Sequence, residues 1–284
     1  MNVNNNQLSE NIMTIMKSVL IASALSVSSL MSLTAMAHAN HDSKLENAIA
    51  GEHRSAKSKA RDQYRNPQET LEFFGFKSTM TVVEITPGGG WYTEILAPAL
   101  KGSGKLYGAH YPDTGEDNYY SNSRKRLEKK LKSNDVFSEV VLTDFVPRKE
   151  SKLAPAGTAD MVLTFRNLHN WKDAGVEQVF KDAYVALKPG GVLGVVEHRL
   201  PEGVDPSKAK GYVSQAKTIE QAKAAGFKLA AKSEVNANPK DNAQHPKGVW
   251  TLPPSLALKE KDKEKYLAIG ESDRMTLRFI KPSK

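Results

Sequence analysis

The chain has no cysteine. That removes disulfide frameworks, thiolate metal centres and cysteine nucleophiles together. The seven histidines show neither HxxxH nor HxH spacing, so no metal-site signature is present either. GxSxG, Walker and GxGxxG patterns are missing, as are internal repeats, heptads and low-complexity tracts. Aromatics make up only 7% of the 284 residues. Long hydrophobic runs are also lacking, with one exception near the N-terminus. There Lys17 precedes an apolar, Ser/Ala-rich run to Met36, followed by Ala37-His38-Ala39-Asn40. A positive start, an apolar centre and a small-x-small site form the pattern of a secretory signal peptide. The expectation is cleavage after Ala39 and export to the periplasm, with Met13 or Met16 as alternative starts to Met1. The competing reading is an uncleaved anchor, since the run is close to minimum spanning length. After cleavage no stable membrane span is expected, and a chain of this size has core enough to do without disulfides.

The formal net charge of +8 survives that cleavage, because residues 1–39 hold one lysine and one acid, Lys17 and Glu10. Clustered basic charge would point to nucleic acid. Here the lysines alternate with acids, as in Lys259-Glu260-Lys261-Asp262-Lys263, which reads as a solvated face. No nucleic-acid partner is expected.

Residues 40–66 read as a charged helical lead-in rather than a core element, and 67–284 as the main domain. Strand patterns are expected at 80–85, 105–109, 136–142, 160–165, 192–197, 227–235 and 275–280. Helix patterns are expected at 69–74, 91–100, 121–132, 174–187 and 213–225. Apolar strands separated by helices imply a doubly wound α/β fold with a mostly parallel sheet covered on both faces. No comparable helix separates the last two strands, so the last strand is expected to be antiparallel. Residues 236–254, rich in Asn, Pro and Asp, read as a long ordered loop covering the substrate side, with Tyr212, His245 and Trp250 as lining candidates.

Two punctuation marks stand out. The first is Glu84-Ile85-Thr86-Pro87-Gly88-Gly89-Gly90, a strand that ends in an acid and turns through glycines into a helix. Glycines permit close backbone approach, and a helix start presents N–H groups. A plain tight turn is the alternative. The second is Leu187-Lys188-Pro189-Gly190-Gly191, ahead of the fifth strand. On these motifs, residues 65–284 resemble the class I S-adenosylmethionine-dependent methyltransferases. Phe165-Arg166-Asn167-Leu168-His169-Asn170-Trp171 and Asp273-Arg274-Met275 resemble an exported branch of predicted methyltransferases within that family.

The resemblance implies a Rossmann-like sheet of seven strands with the last antiparallel, and S-adenosylmethionine as cofactor. It implies that Thr86, Gly88 and Gly90 touch the cofactor's methionine and ribose and that Glu84 reaches its ammonium. Asp144 and Phe145 would meet adenine, while His110 occupies the place of the ribose-binding acid; Asn167 is also assigned to the cofactor. Thr86 stands where the family has its first glycine, and His110 accepts at most one ribose hydrogen bond where an acid accepts two. Asp113 is a possible substitute. Arg166, His169 and His198 are the catalytic candidates, either histidine taking a proton from a small-molecule substrate. Asn170 reads equally as a helix cap and Trp171 as core. The leading function is a small-molecule methyltransferase. The alternative is a non-catalytic or repurposed ligand-binding protein on a degenerate methyltransferase fold, favoured by export away from the cofactor's source and by the changes at Thr86 and His110. The oligomeric state is not legible.

Overall fold

Successive residues of a strand face opposite sides of a sheet, so a strand apolar at every position must be covered on both faces. Val82 and Val83 show this: both are fully buried, one in each of two separate cores. The computed structural model describes residues 42–283. The expected signal peptide lies outside the described residues.

The strands are β1 (Thr81–Ile85), β2 (Lys105–His110), β3 (Val141–Asp144), β4 (Ala159–Phe165), β5 (Leu187–His198), β6 (Lys228–Ser233) and β7 (Arg274–Ile280). They form one sheet in the order β3-β2-β1-β4-β5-β7-β6. β1 through β5 run parallel, and β7 lies antiparallel between β5 and β6. This is the expected seven-stranded mixed sheet, with the last strand antiparallel. The helices are α1 (Ser43–Ala50), α2 (Ala56–Lys59), α3 (Asp62–Arg65), α4 (Pro67–Phe74), α5 (Thr93–Leu100), α6 (Tyr119–Leu131), α7 (Leu168–Ala186), α8 (Gln215–Ala224) and α9 (Lys263–Ile269). Side chains from α1, α4 and α5 fill the core on one face, and those from α7 and α8 fill it on the other. At Gly194 the layers leave no room for a side chain: a Cβ would sit 2.6 Å from Leu163 Cδ2 and 3.0 Å from the Phe74 ring. Among the described residues no helix is long and apolar enough to cross a membrane.

Three elements differ from expectation. The run 136–142 is not one strand. Asn134 caps a 3-10 turn, Asp135–Phe137, that sends Phe137 into the core, and β3 starts only at Val141. A short apolar run does not distinguish the two conformations. Helix α7 begins at Leu168, six residues early, with a break at Lys172 (φ 56°, ψ 176°). The lead-in joins the core: Leu45 and Ala48 of α1 are buried against the same cluster as Leu71 and Phe74.

Candidate active site

The parallel strands all end on one side of the sheet, where doubly wound folds place their ligands. After β1 the chain enters Thr86 at φ 51°, with its N–H bonded to Ala109 O at 2.7 Å. A β-branched residue in the left-handed region is strained, and such strain gathers at functional sites. Gly88 (φ 59°) and Gly89 face open space: nothing lies within 4 Å of a Cβ built on either. Gly90 faces inward, where a Cβ would crowd Leu127 and Lys130. Asn167, at the end of β4, holds the turn from below; its amide donates to Ile85 O at 3.1 Å and Thr164 Oγ1 at 3.2 Å. Glu84 lies buried under the turn and accepts from Thr93 Oγ1 at 2.6 Å. Burial raises its carboxyl from 4.5 to about 7, against the opposing pull of Thr93, Arg166 and Lys130.

Above the turn opens a cavity of about 580 Å³, with a side chamber of about 240 Å³. Thr86, Gly88, Asn167, Asn170 and Trp250 line both, so one ligand can span them. The chamber is walled by Tyr111, Tyr120 and Trp171. The Tyr111 and Tyr120 rings lie 4.1 Å apart, and Phe145 is buried behind, 5.7 Å from Tyr111 and 5.5 Å from Trp171. These rings give the chamber an aromatic wall. A larger cavity of about 830 Å³, lined by Tyr107, Leu153 and Asp182 among others, holds none of the sequence-predicted site residues. The sequence-predicted residues that line a cavity gather instead at the strand-end one.

His110 is buried, with Nε2 3.2 Å from Ser123 Oγ and Nδ1 3.2 Å from Tyr111 O, two residues of the chamber wall. Asp113 accepts from Gly115 N at 2.9 Å and faces Lys125 at 3.6 Å. Asp144 is largely exposed and pairs with Arg124 at 3.1 Å. None of the three lines the cavity or its side chamber.

The other half of the site comes from β4, β5 and β7. Arg166 sits at φ 61° and is pinned by its N–H to Val196 O at 2.7 Å. Arg166, His169 and His198 all line the cavity. Glu197, fully buried, accepts from His169 Nδ1 at 3.1 Å, His198 N at 2.7 Å and Leu168 N at 2.6 Å. Facing a carboxylate, Nδ1 is the donor, so in the neutral ring Nε2 is the acceptor. His198 Nδ1 meets Ser272 Oγ at 2.5 Å. Burial first, then His169, Arg166, Arg274 and Arg65, hold His198 well below its ordinary pKa, so it is neutral. Ligating atoms of His169, Glu197 and His198 lie within 4.8 Å of one another, a grouping that the sequence spacing does not reveal. The chemistry of this set favours proton transfer over a cation: Glu197 is spent on three donors, and arginines surround His198.

Sequence reasoning missed Glu197, Arg61, Arg65, Tyr111 and Tyr120. For Glu197 a signal existed, an acid beside His198 at the end of a strand. Trp250 lines the cavity as expected. Tyr212 and His245 do not; both bond Asp241, at 2.9 and 2.8 Å, inside the loop.

No family model and no curated protein matches the chain. Solved structures do. A SAM-dependent methyltransferase from Aquifex aeolicus superposes with a TM-score of 0.55 at 16% identity, covering 85% of this chain and 98% of that one. A putative sarcosine dimethylglycine methyltransferase from Galdieria sulphuraria gives 0.55 at 14%, covering 80% and 87%. The [4+2]-cyclase SpnF gives 0.58 at 15%, covering 84% and 92%. At these identities the likeness is one of fold: the chain has the class I methyltransferase architecture.

Proposed function

We propose that the chain is an S-adenosylmethionine-dependent methyltransferase acting on a small molecule. The observation that carries this reading is the open space over Gly88 and Gly89, continuous with the aromatic side chamber. The residues fit the cofactor in part. Thr86, Gly88 and Asn167 would hold its amino-acid and ribose portions, and Tyr111, Tyr120 and Trp171 its adenine, while Gly90, Glu84 and Phe145 support the turn and chamber from behind. When bound, the cofactor supplies a methyl group on an already activated sulfonium, so positioning is the main task left to the protein. Arg166 orients the substrate, the Pro253–Pro254 and Trp250 wall excludes water, and His169 Nε2 accepts the proton released by the substrate's heteroatom.

One observation favours a second reading, a binding protein that has given up catalysis. Neither His110 nor Asp113 lines the cavity where a ribose acid would act. The fold alone does not decide, since one structural neighbour, SpnF, is a [4+2]-cyclase. Calorimetric titration of the full chain with S-adenosylmethionine and S-adenosylhomocysteine separates the two. Micromolar binding, abolished in Gly89→Leu, is expected; no heat up to millimolar ligand would leave the second reading. Export to the periplasm is proposed with the same reading, and N-terminal sequencing of the secreted protein tests it.

A further inference from the structure

Three guanidinium groups crowd one carboxylate at the β4–β5–β7 end of the cavity, and a fourth, that of Arg166, is coupled to it. Arg61 Nε donates to Glu271 Oε1 at 2.6 Å, Arg65 Nε donates to Oε2 at 3.2 Å, and Arg274 Nη1 lies 3.4 Å from Oε2. Arg274 is otherwise satisfied by Ser272 O and Tyr64 O. Arg166 is coupled electrostatically to the same cluster yet has no ion-pair partner among the described residues. Nη1 of Arg65 and Nη1 of Arg166 are buried and have no hydrogen-bond partner. Both residues line the cavity. Native structures rarely leave such donors unmet, and one carboxylate balances only one of the four charges.

The cost of this crowding is visible in the cluster itself. Burial, together with repulsion from Arg274, lowers the Arg166 guanidinium to about 10, and burial with Arg166 lowers Arg65. Burial alone would raise the Glu271 carboxyl, but Arg65, Arg274 and Arg61 outweigh it and hold it at about 2. A cation cannot relieve this imbalance, whereas a forked anion matches two guanidinium arms.

We infer that the substrate carries an oxyanion, a carboxylate or a phosphate, that docks between Arg65 and Arg166 and turns the substrate's nucleophilic atom toward His169 and His198. The inference rests on the methyltransferase reading for the word substrate; the anion site itself does not.

The test is calorimetric titration of the full chain with benzoate and with phenyl phosphate, using benzyl alcohol as the neutral control. Each titration is run with and without saturating S-adenosylhomocysteine. One of the two anions should bind at least about tenfold tighter than benzyl alcohol, and the better one identifies the oxyanion. Binding should persist beside S-adenosylhomocysteine and weaken about tenfold in Arg166→Gln, with Arg166→Lys intermediate because it keeps the charge and loses the fork. The inference is overturned if neither anion outbinds the alcohol, or if Arg166→Gln leaves binding unchanged. It is also overturned if S-adenosylhomocysteine displaces the anion, because the arginines would then serve the cofactor's own carboxylate. Should S-adenosylhomocysteine give no heat while anion binding still depends on Arg166, the anion site stands and the methyltransferase reading falls.

Discussion

A side chain added at Gly89 meets only the cavity, since that position lacks a left-handed φ and has no neighbour within 4 Å. Gly89→Leu should therefore keep its stability within about 0.5 kcal/mol and lose ligand affinity, read by thermal melting beside calorimetry. Thr86 is the opposite case, its Cβ forced into the left-handed region. Thr86→Gly should tighten S-adenosylhomocysteine binding, because it removes bulk from the turn, and should move stability by no more than about 1 kcal/mol. Glu84 gives a pH signature. Below 4.5 folded and unfolded chains both hold its proton, and its contribution is flat. Between 4.5 and about 7 only the folded chain keeps the proton, so stability falls as pH rises, by on the order of 3 kcal/mol in all. Above 7 the contribution is flat again. Denaturation of Glu84→Gln across this range should lack that decline. At this scale the sequence singled out residues after strand ends, Gly88, Asn167, His169 and His198, and the structure brings all four to one cavity. The sequence was silent where charge pairs across 206 or 210 residues, as Arg65 and Arg61 do with Glu271.

Elements were legible wherever the hydrophobic period was long. β1, β2, β4 and β7 fall within a residue or so of expectation, because fully buried runs bounded by Gly and Pro have few alternatives. β3 was misread because a 3-10 turn buries Phe137 as well as a strand would. The loop after β6 owes its order to one buried acid. Asp241 accepts from Tyr212 Oη, His245 Nε2, Ala243 N and Asp273 N at distances between 2.8 and 3.1 Å. Asp241→Ala removes an anion that organises four donors, and should cost about 3 kcal/mol. Limited proteolysis should then cut between residues 236 and 256 first, and the Trp250 wall should be lost before the sheet melts.

For the molecule as a whole, Lys44–Lys284 form one compact unit. The charged segment before Pro67 is part of that unit: Ser58 O accepts from Trp91 Nε1 at 3.0 Å, and Arg61 and Arg65 reach Glu271. A chain begun at residue 67 loses Leu45 from the core and leaves Glu271 buried without those two partners. The loss should be on the order of 5 kcal/mol or more, enough to unfold a typical domain, and circular dichroism would register it. The placing of β7 carries a last consequence, for the order of events in folding. The last strand in the sequence lies inside the sheet, between β5 and β6, and Glu271 just ahead of it pairs with residues near the other end of the compact unit. Contacts of such long range form late and slowly. The glycine turn and its flanking β1–β4 pairs can assemble while the arginine cluster still lacks its acid. In a refolding time course the Trp91 environment, built by Arg54 and Arg65 stacked on its ring, should thus mature after secondary structure, and the ligand cavity should be the final part of the protein to exist.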